Sequence, residues 1–270
     1  GLQNETSSIP TSVKIALVDA LTAAGLPVIE VTSFVNPKAV PQLADASEVM
    51  TGIRRASGTR YPVLVPNQQG FERAVEAGAD SIALFTSATE AFARANVGAS
   101  IDGTFERFEP VVDSARRRGI WVRGYVSVSF GCPYSGAVDA RAVIAVAERL
   151  LHLGCDEICL ADTIGTATPD AVADALRAAR PSIPVDRLAL HLHDTSGTAL
   201  TNVEQALELG VRTFDSAIGG LGGCPFAPGA PGNLSTERLI GRMEALGLCT
   251  GADSVALTAA LDVVRPHLPR

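Results

Sequence analysis

The chain has 270 residues, 47% hydrophobic and 19% charged, with 25 glycines and a formal charge of −7. This is the profile of a soluble globular protein with a sizeable core; it excludes a disordered chain, and the acidic balance argues against a nucleic-acid partner. No apolar run reaches the roughly 20 residues needed to span a bilayer and no signal-peptide pattern opens the chain, so no membrane association is expected, while five cysteines, an odd number, favour reduced thiols and the cytoplasm.

In chain order, Gly1-Leu2-Gln3-Asn4-Glu5 reads as a loop, and helical spacing begins near Thr11 and runs over 11–24. Apolar and β-branched strands follow at 28–34 and 61–65, a helix at 70–77, and strands at 81–85 and 120–128. The remainder alternates regularly: helix 137–153, strand 157–160, helix 171–179, strand 188–192, helix 199–209, strand 212–217. Glycines close several helices just before a strand, as in Ala23-Ala24-Gly25 and His152-Leu153-Gly154. Seven strands alternating with helices, with no linker between units, predict an α/β protein with a parallel sheet and one (β/α)₈ TIM-barrel domain over 1–270. The eighth strand is expected before Gly1, which makes the chain N-terminally incomplete.

The chemistry gathers at the carboxyl ends of these strands. Residues two apart on a strand share a face, so Leu188-Ala189-Leu190-His191-Leu192-His193 places both imidazoles on one side and the leucines on the other. Two imidazoles supply part of a coordination shell. Polar residues inside buried strands need a reason: Glu30 within Val28-Ile29-Glu30-Val31, Arg123, Tyr125 and Ser127 on one face of their strand, and Asp162 after Ile158-Cys159-Leu160-Ala161. Glu30 and Arg123 either neutralise each other or meet substrate, and Asp162 either caps the next helix or acts in the site. Asn233, just before a helix, is either an N-cap or an amide donor to a hard cation such as Mg²⁺ or Mn²⁺ beside the two imidazoles. Cys224, inside Gly219-Gly220-Leu221-Gly222-Gly223-Cys224-Pro225, reads as an exposed loop thiol able to act as acid or base. The other cysteines fit core or helix positions, with Cys132 the exception to watch. The glycine cluster lacks the pattern of a nucleotide-binding loop.

These residues resemble the 3-hydroxy-3-methylglutaryl-CoA lyase family, metal-dependent members of a (β/α)₈-barrel superfamily that also holds Claisen-type synthases. The likeness covers nearly the whole chain, including Val28-Ile29-Glu30-Val31-Thr32-Ser33-Phe34-Val35, Val122-Arg123-Gly124-Tyr125-Val126-Ser127, Asp162-Thr163-Ile164-Gly165, His191-Leu192-His193-Asp194-Thr195 and Gly220-Leu221-Gly222-Gly223-Cys224-Pro225. The last is close to the lyase signature, with Phe226 where tyrosine is usual, and it separates lyase from synthase. The resemblance implies that His191, His193 and Asn233 hold Mg²⁺ or Mn²⁺. It implies catalytic roles for Cys224, His191, Glu30 and Asp162, a supporting one for Glu237, and substrate contacts from Gln3, Asn4, Ser33, Arg123 and Tyr125. It further implies an acyl-CoA ligand and a homodimer. An Arg-Asp pair that precedes the glycine matching Gly1 in the family is absent here, and an upstream extension is expected to supply it. The implied reaction is a retro-Claisen cleavage: His191 or the upstream aspartate removes the substrate's hydroxyl proton, and Cys224 protonates the departing acetyl-CoA carbanion. A lyase for a longer or branched 3-hydroxyglutaryl-CoA, and a non-catalytic metal- or CoA-binding remnant, are the competing readings.

Overall fold

In this computed structural model the described residues are 2–4, 8–222 and 232–268. Two compact units share the chain: Gly1–Ile82 with Ala217–Gly222 and Ser235–Arg270, and Ala83–Ser216 with Gly223–Leu234.

In the first unit, α1 (Thr11–Ala23) leads to β1 (Thr32–Ser33), α2 (Ala46–Gly52), β2 (Val63–Leu64), α3 (Gln68–Glu76) and the start of β3 (Ser81–Ser87). The strands lie in that order, β1 pairing in parallel with β2 through Thr32↔Val63 and Ser33↔Leu64. Both ladders are shorter than the stretches predicted at 28–34 and 61–65. Proline at 62 and 66 has no N–H to give to a ladder, and the ladder between them is confined to Val63 and Leu64, with an isolated parallel bridge Val28↔Arg60 ahead of it. Helix α1 packs on α10 (Ser254–Val264), where Leu17, Ala24, Leu257, Ala260 and Val264 join one buried apolar cluster with Ile218 and with Ile240 of α9 (Thr236–Ala245). The glycine that ends α1 is required twice over. Gly25 has φ +82°, a conformation L side chains rarely adopt, and a Cβ there would stand 2.8 Å from the Gly251 carbonyl oxygen. Lys14 is also buried here, its ammonium 2.7 Å from Asp45 and donating to the Gln42 carbonyl at 2.6 Å.

The second unit carries the regular part of the alternation: the rest of β3, α4 (Glu90–Val97), α5 (Ile101–Arg117), β4 (Trp121–Ser127), α6 (Ala140–Leu153), β5 (Glu157–Asp162), α7 (Pro169–Ala179), β6 (Leu188–Leu192), α8 (Ala199–Glu208) and β7 (Thr213–Asp215). The order β3-β4-β5-β6-β7 follows the chain, and the pairs from β4 to β7 are parallel. Leu188, Leu190 and Leu192 are all buried, with Ile158, Leu160, Val122 and Val126 beside them. Helices α2, α4, α5 and α10 were not anticipated. Helix α5 hides its pattern behind Gly103, an internal Pro110 and many charges, although Phe105, Phe108, Val111, Val112 and Ala115 form a buried stripe at helical spacing.

Register fixes what meets what. Arg123 lies opposite Glu157, Tyr125 opposite Cys159, Cys159 opposite Ala189, and His191 opposite both Ala161 and Asp215. These positions share one face of the sheet, and the small Cys159 and Ala189 between them leave room for long side chains from β4 to reach β7.

Candidate functional site

The two histidines end β6 as the alternation requires: their ring centroids are 5.2 Å apart and tilted by 55°. Asn233 reaches His193 through backbone pairing. Leu234 N–H donates to the Leu192 carbonyl at 3.1 Å, Asp194 N–H donates to the Gly232 carbonyl at 2.8 Å, and His193 and Asn233 form an antiparallel bridge between them. Asn233 is not the cap of the following helix. That role belongs to Ser235, whose hydroxyl accepts from Arg238 N–H at 3.3 Å.

The imidazoles differ electrostatically. Burial, and then the neighbouring His191, push the His193 pKa down to about 3, so its ring is neutral near physiological pH, the form that binds a cation. His193 Nδ1 is buried and makes no hydrogen bond among the described residues. His191 Nδ1 lies 3.2 Å from Asp215 Oδ2. Among the described residues no group of three or more His, Cys, Asp and Glu side chains is placed to hold a metal. The donor set here is two imidazoles and an amide. A buried imidazole nitrogen without a partner beside a second imidazole and an amide oxygen fits a divalent cation that takes mixed nitrogen and oxygen ligands.

Behind the histidines lies a charged network whose acidic members sequence reasoning did not single out. Arg123, 4% exposed, ion-pairs with Glu157 at 2.9 Å and with Asp215 Oδ1 at 2.8 Å. Tyr125 receives a hydrogen bond from Arg123 Nη1 at 2.9 Å and donates its own hydroxyl to Asp215 Oδ2 at 3.0 Å, while Cys159 Sγ lies 3.8 Å from the same oxygen. Burial works to raise the Asp215 pKa, but Arg123 and then His191 outweigh it and hold the carboxyl well below its ordinary range. The carboxylates facing Arg123 are thus Glu157 and Asp215. A buried arginine on β4 with one acid on each of β5 and β7 was the available signal, because buried charges need opposite charges.

Asp162 is fully buried. Its carboxylate accepts from Thr166 N–H at 3.1 Å and Ala167 N–H at 2.9 Å, which folds the turn after β5, and burial raises its pKa despite those bonds. It does not cap α7, whose first turn is closed by the Thr168 hydroxyl. The turn also demands Gly165, with φ +67°, since a Cβ would press on Thr195 at 2.5–2.8 Å. At the end of β4 the buried Val128 takes φ +52°, a strained conformation for a β-branched residue, and its N–H is bonded by the Thr163 hydroxyl at 2.8 Å.

Ser33 in β1 is buried, with no hydrogen bond to its hydroxyl among the described residues. Glu30 corrects the expectation of a buried strand carboxylate: it precedes β1 and is exposed. Gln3 is exposed in a short 3₁₀ turn, Leu2–Asn4, which also contains the backbone of Asn4. Glu237 accepts Gly219 N–H at 3.0 Å and the Ser235 hydroxyl at 2.6 Å, tying the turn before α9. Cys224 and Phe226 lie outside the described residues. Of the other cysteines, Cys155 and Cys159 are buried as expected, Cys132, singled out as the exception, is buried too, and Cys249 is exposed in the loop after α9. No helix among the described residues is long and apolar enough to cross a membrane.

The sequence matches the HMGL-like family over residues 1–264. It is 52% identical over 270 residues to the mitochondrial hydroxymethylglutaryl-CoA lyase of Rattus norvegicus, covering all of this chain and 83% of that protein. The crystal structure of the HMG-CoA lyase from Brucella melitensis superposes with a TM-score of 0.96 at 50% identity, covering 98% of this chain and 94% of that one. An HMG-CoA lyase from Acinetobacter baumannii in complex with coenzyme A and 3-methylmalate superposes at 0.93 with 41% identity, covering 100% and 90%. The α/β (β/α)₈-barrel class read from the alternation is therefore the fold of this chain, with seven strands among the described residues. The chain belongs to the HMGL-like family and is a carbon–carbon lyase of the hydroxymethylglutaryl-CoA lyase type.

Proposed function

We propose that this enzyme cleaves 3-hydroxy-3-methylglutaryl-CoA to acetyl-CoA and acetoacetate with Mg²⁺ or Mn²⁺ held by His191, His193 and Asn233. The observation that carries the proposal is the pairing of Asn233 with His193 beside a second imidazole on the same strand face. When bound, a divalent cation supplies Lewis acidity that lowers the pKa of a chelated tertiary hydroxyl. The chain's own part is to present both imidazoles in a fixed orientation. His191 is proposed as a ligand rather than the base, since a ring that gives Nδ1 to Asp215 and Nε2 to a cation would keep no lone pair for a proton. Cys224 is proposed as the acid that protonates the acetyl-CoA carbanion. The same reading takes an acyl-CoA as ligand, one catalytic domain, a homodimer, and a reducing compartment such as the cytoplasm, in keeping with four cysteines outside any disulfide among the described residues.

The test is acetoacetate and acetyl-CoA release from 3-hydroxy-3-methylglutaryl-CoA by the full chain, before and after EDTA treatment. Equimolar products, lost with EDTA and restored by Mn²⁺, are expected. Cleavage that EDTA leaves untouched would remove the metal from the proposal, and failure with this substrate alone would redirect it to a longer acyl chain.

A further inference from the structure

The two histidines are supported differently. His193 Nδ1 has no hydrogen-bond partner among the described residues, whereas His191 Nδ1 meets a carboxylate placed directly opposite it in the β6–β7 register. That carboxylate is fixed on both oxygens. Arg123 Nη1 lies 2.8 Å from Asp215 Oδ1, the Tyr125 hydroxyl donates to Oδ2 at 3.0 Å, and Glu157 steadies the far side of the guanidinium at 2.9 Å. Arginine is always protonated and only donates, so Asp215 is an acceptor toward every neighbour. Its contact with His191 is then a hydrogen bond only if the imidazole carries its proton on Nδ1.

We infer that Asp215 is the positioning residue of the metal site: it holds His191 in the Nδ1-protonated tautomer, leaves the Nε2 lone pair for the cation, and is itself held by Arg123 and Tyr125, which serve the site at one remove. A carboxylate behind a ligating imidazole fixes ring orientation and raises ligand basicity, and its loss typically weakens metal binding 10–100-fold. The metal half of this inference rests on the proposed role of His191; the tautomer half does not.

The test separates the two. The chain contains 4 histidines, so long-range ¹H–¹⁵N correlation of metal-free, ¹⁵N-histidine-labelled protein reads each tautomer, with His191 assigned by His191→Gln. A single Nδ1–H form is expected for His191, collapsing to a mixture in Asp215→Ala, and an Nε2–H or averaged signal in the unaltered protein overturns the inference even if that variant fails to fold. Mn²⁺ titration should show 10–100-fold weaker binding in Asp215→Ala and a clearly smaller loss in Glu157→Gln, which disturbs Arg123 without touching His191. Equal loss in both variants would reduce Asp215 to a structural role. A protein with the expected tautomer that binds no Mn²⁺ would refute the metal assignment alone.

Discussion

Arg123→Met isolates the charge at the centre of the network, because methionine fills much of the same space without a cation. Removing it leaves Glu157 and Asp215, both less than one-fifth exposed, facing each other's side of the sheet with no cation between them. Breaking a buried ion pair by deleting one partner costs about 3–5 kcal/mol. At 2–4 °C per kcal/mol for a chain of this size, the melting temperature should fall by roughly 6–20 °C. The pH dependence is diagnostic. In the native protein Asp215 is held below its unfolded pKa, so its stabilisation is present above the unfolded value and is lost as pH falls through the folded one. Without Arg123, burial is opposed only by His191 and the Tyr125 hydroxyl, so the Asp215 pKa rises and the ionised carboxylate carries a penalty at neutral pH that no guanidinium offsets. Protonation relieves that penalty, so calorimetry should show the gap between variant and parent narrowing from about pH 8 to about pH 5. Adding Asp215→Asn to Arg123→Met should recover part of the loss at neutral pH. A fall of under about 2 °C, or a gap that stays constant or widens toward acid, would refute the reasoning.

Gly25→Ala combines a strained φ of +82° with a Cβ 2.8 Å from the Gly251 oxygen, and should cost about 1–3 kcal/mol in denaturant unfolding. Asp162→Ala strands the N–H groups of Thr166 and Ala167 and should lower stability by about 1–3 kcal/mol per orphaned group, with faster hydrogen exchange confined to residues 163–168. Burial pushes the Cys155 thiol up to about 12, so iodoacetamide at mildly alkaline pH should label the exposed Cys249 and spare Cys155, as peptide mass mapping would show.

What could be read from the sequence follows physical lines. All seven strand positions carry an apolar, β-branched signal strong enough to survive tertiary context, and Gly25, Gly78, Gly154 and Gly210 mark helix ends by a left-handed φ. The histidine pair needed only the two-residue period of β6. Strand lengths were not legible for β1 and β2, where proline interrupts the ladder. Asp215 and Glu157 escaped notice because an acid near the end of an otherwise ordinary strand looks like a solvated one. Only the parallel register, with Arg123 against Glu157 and His191 against Asp215, shows that these charges complete one another. Asn233 illustrates the converse. Its position before a helix suggested a cap, and the bridge to His193 instead makes it a neighbour of the imidazoles.

Cleavage is proposed to depend on one divalent cation at His191, His193 and Asn233, and the most direct measurement is acetoacetate release during Mn²⁺ titration of metal-stripped enzyme. Activity should rise linearly and saturate at one equivalent per chain, and His193→Ala should show no such saturation. Full activity without added metal, or an unchanged titration in His193→Ala, would contradict it.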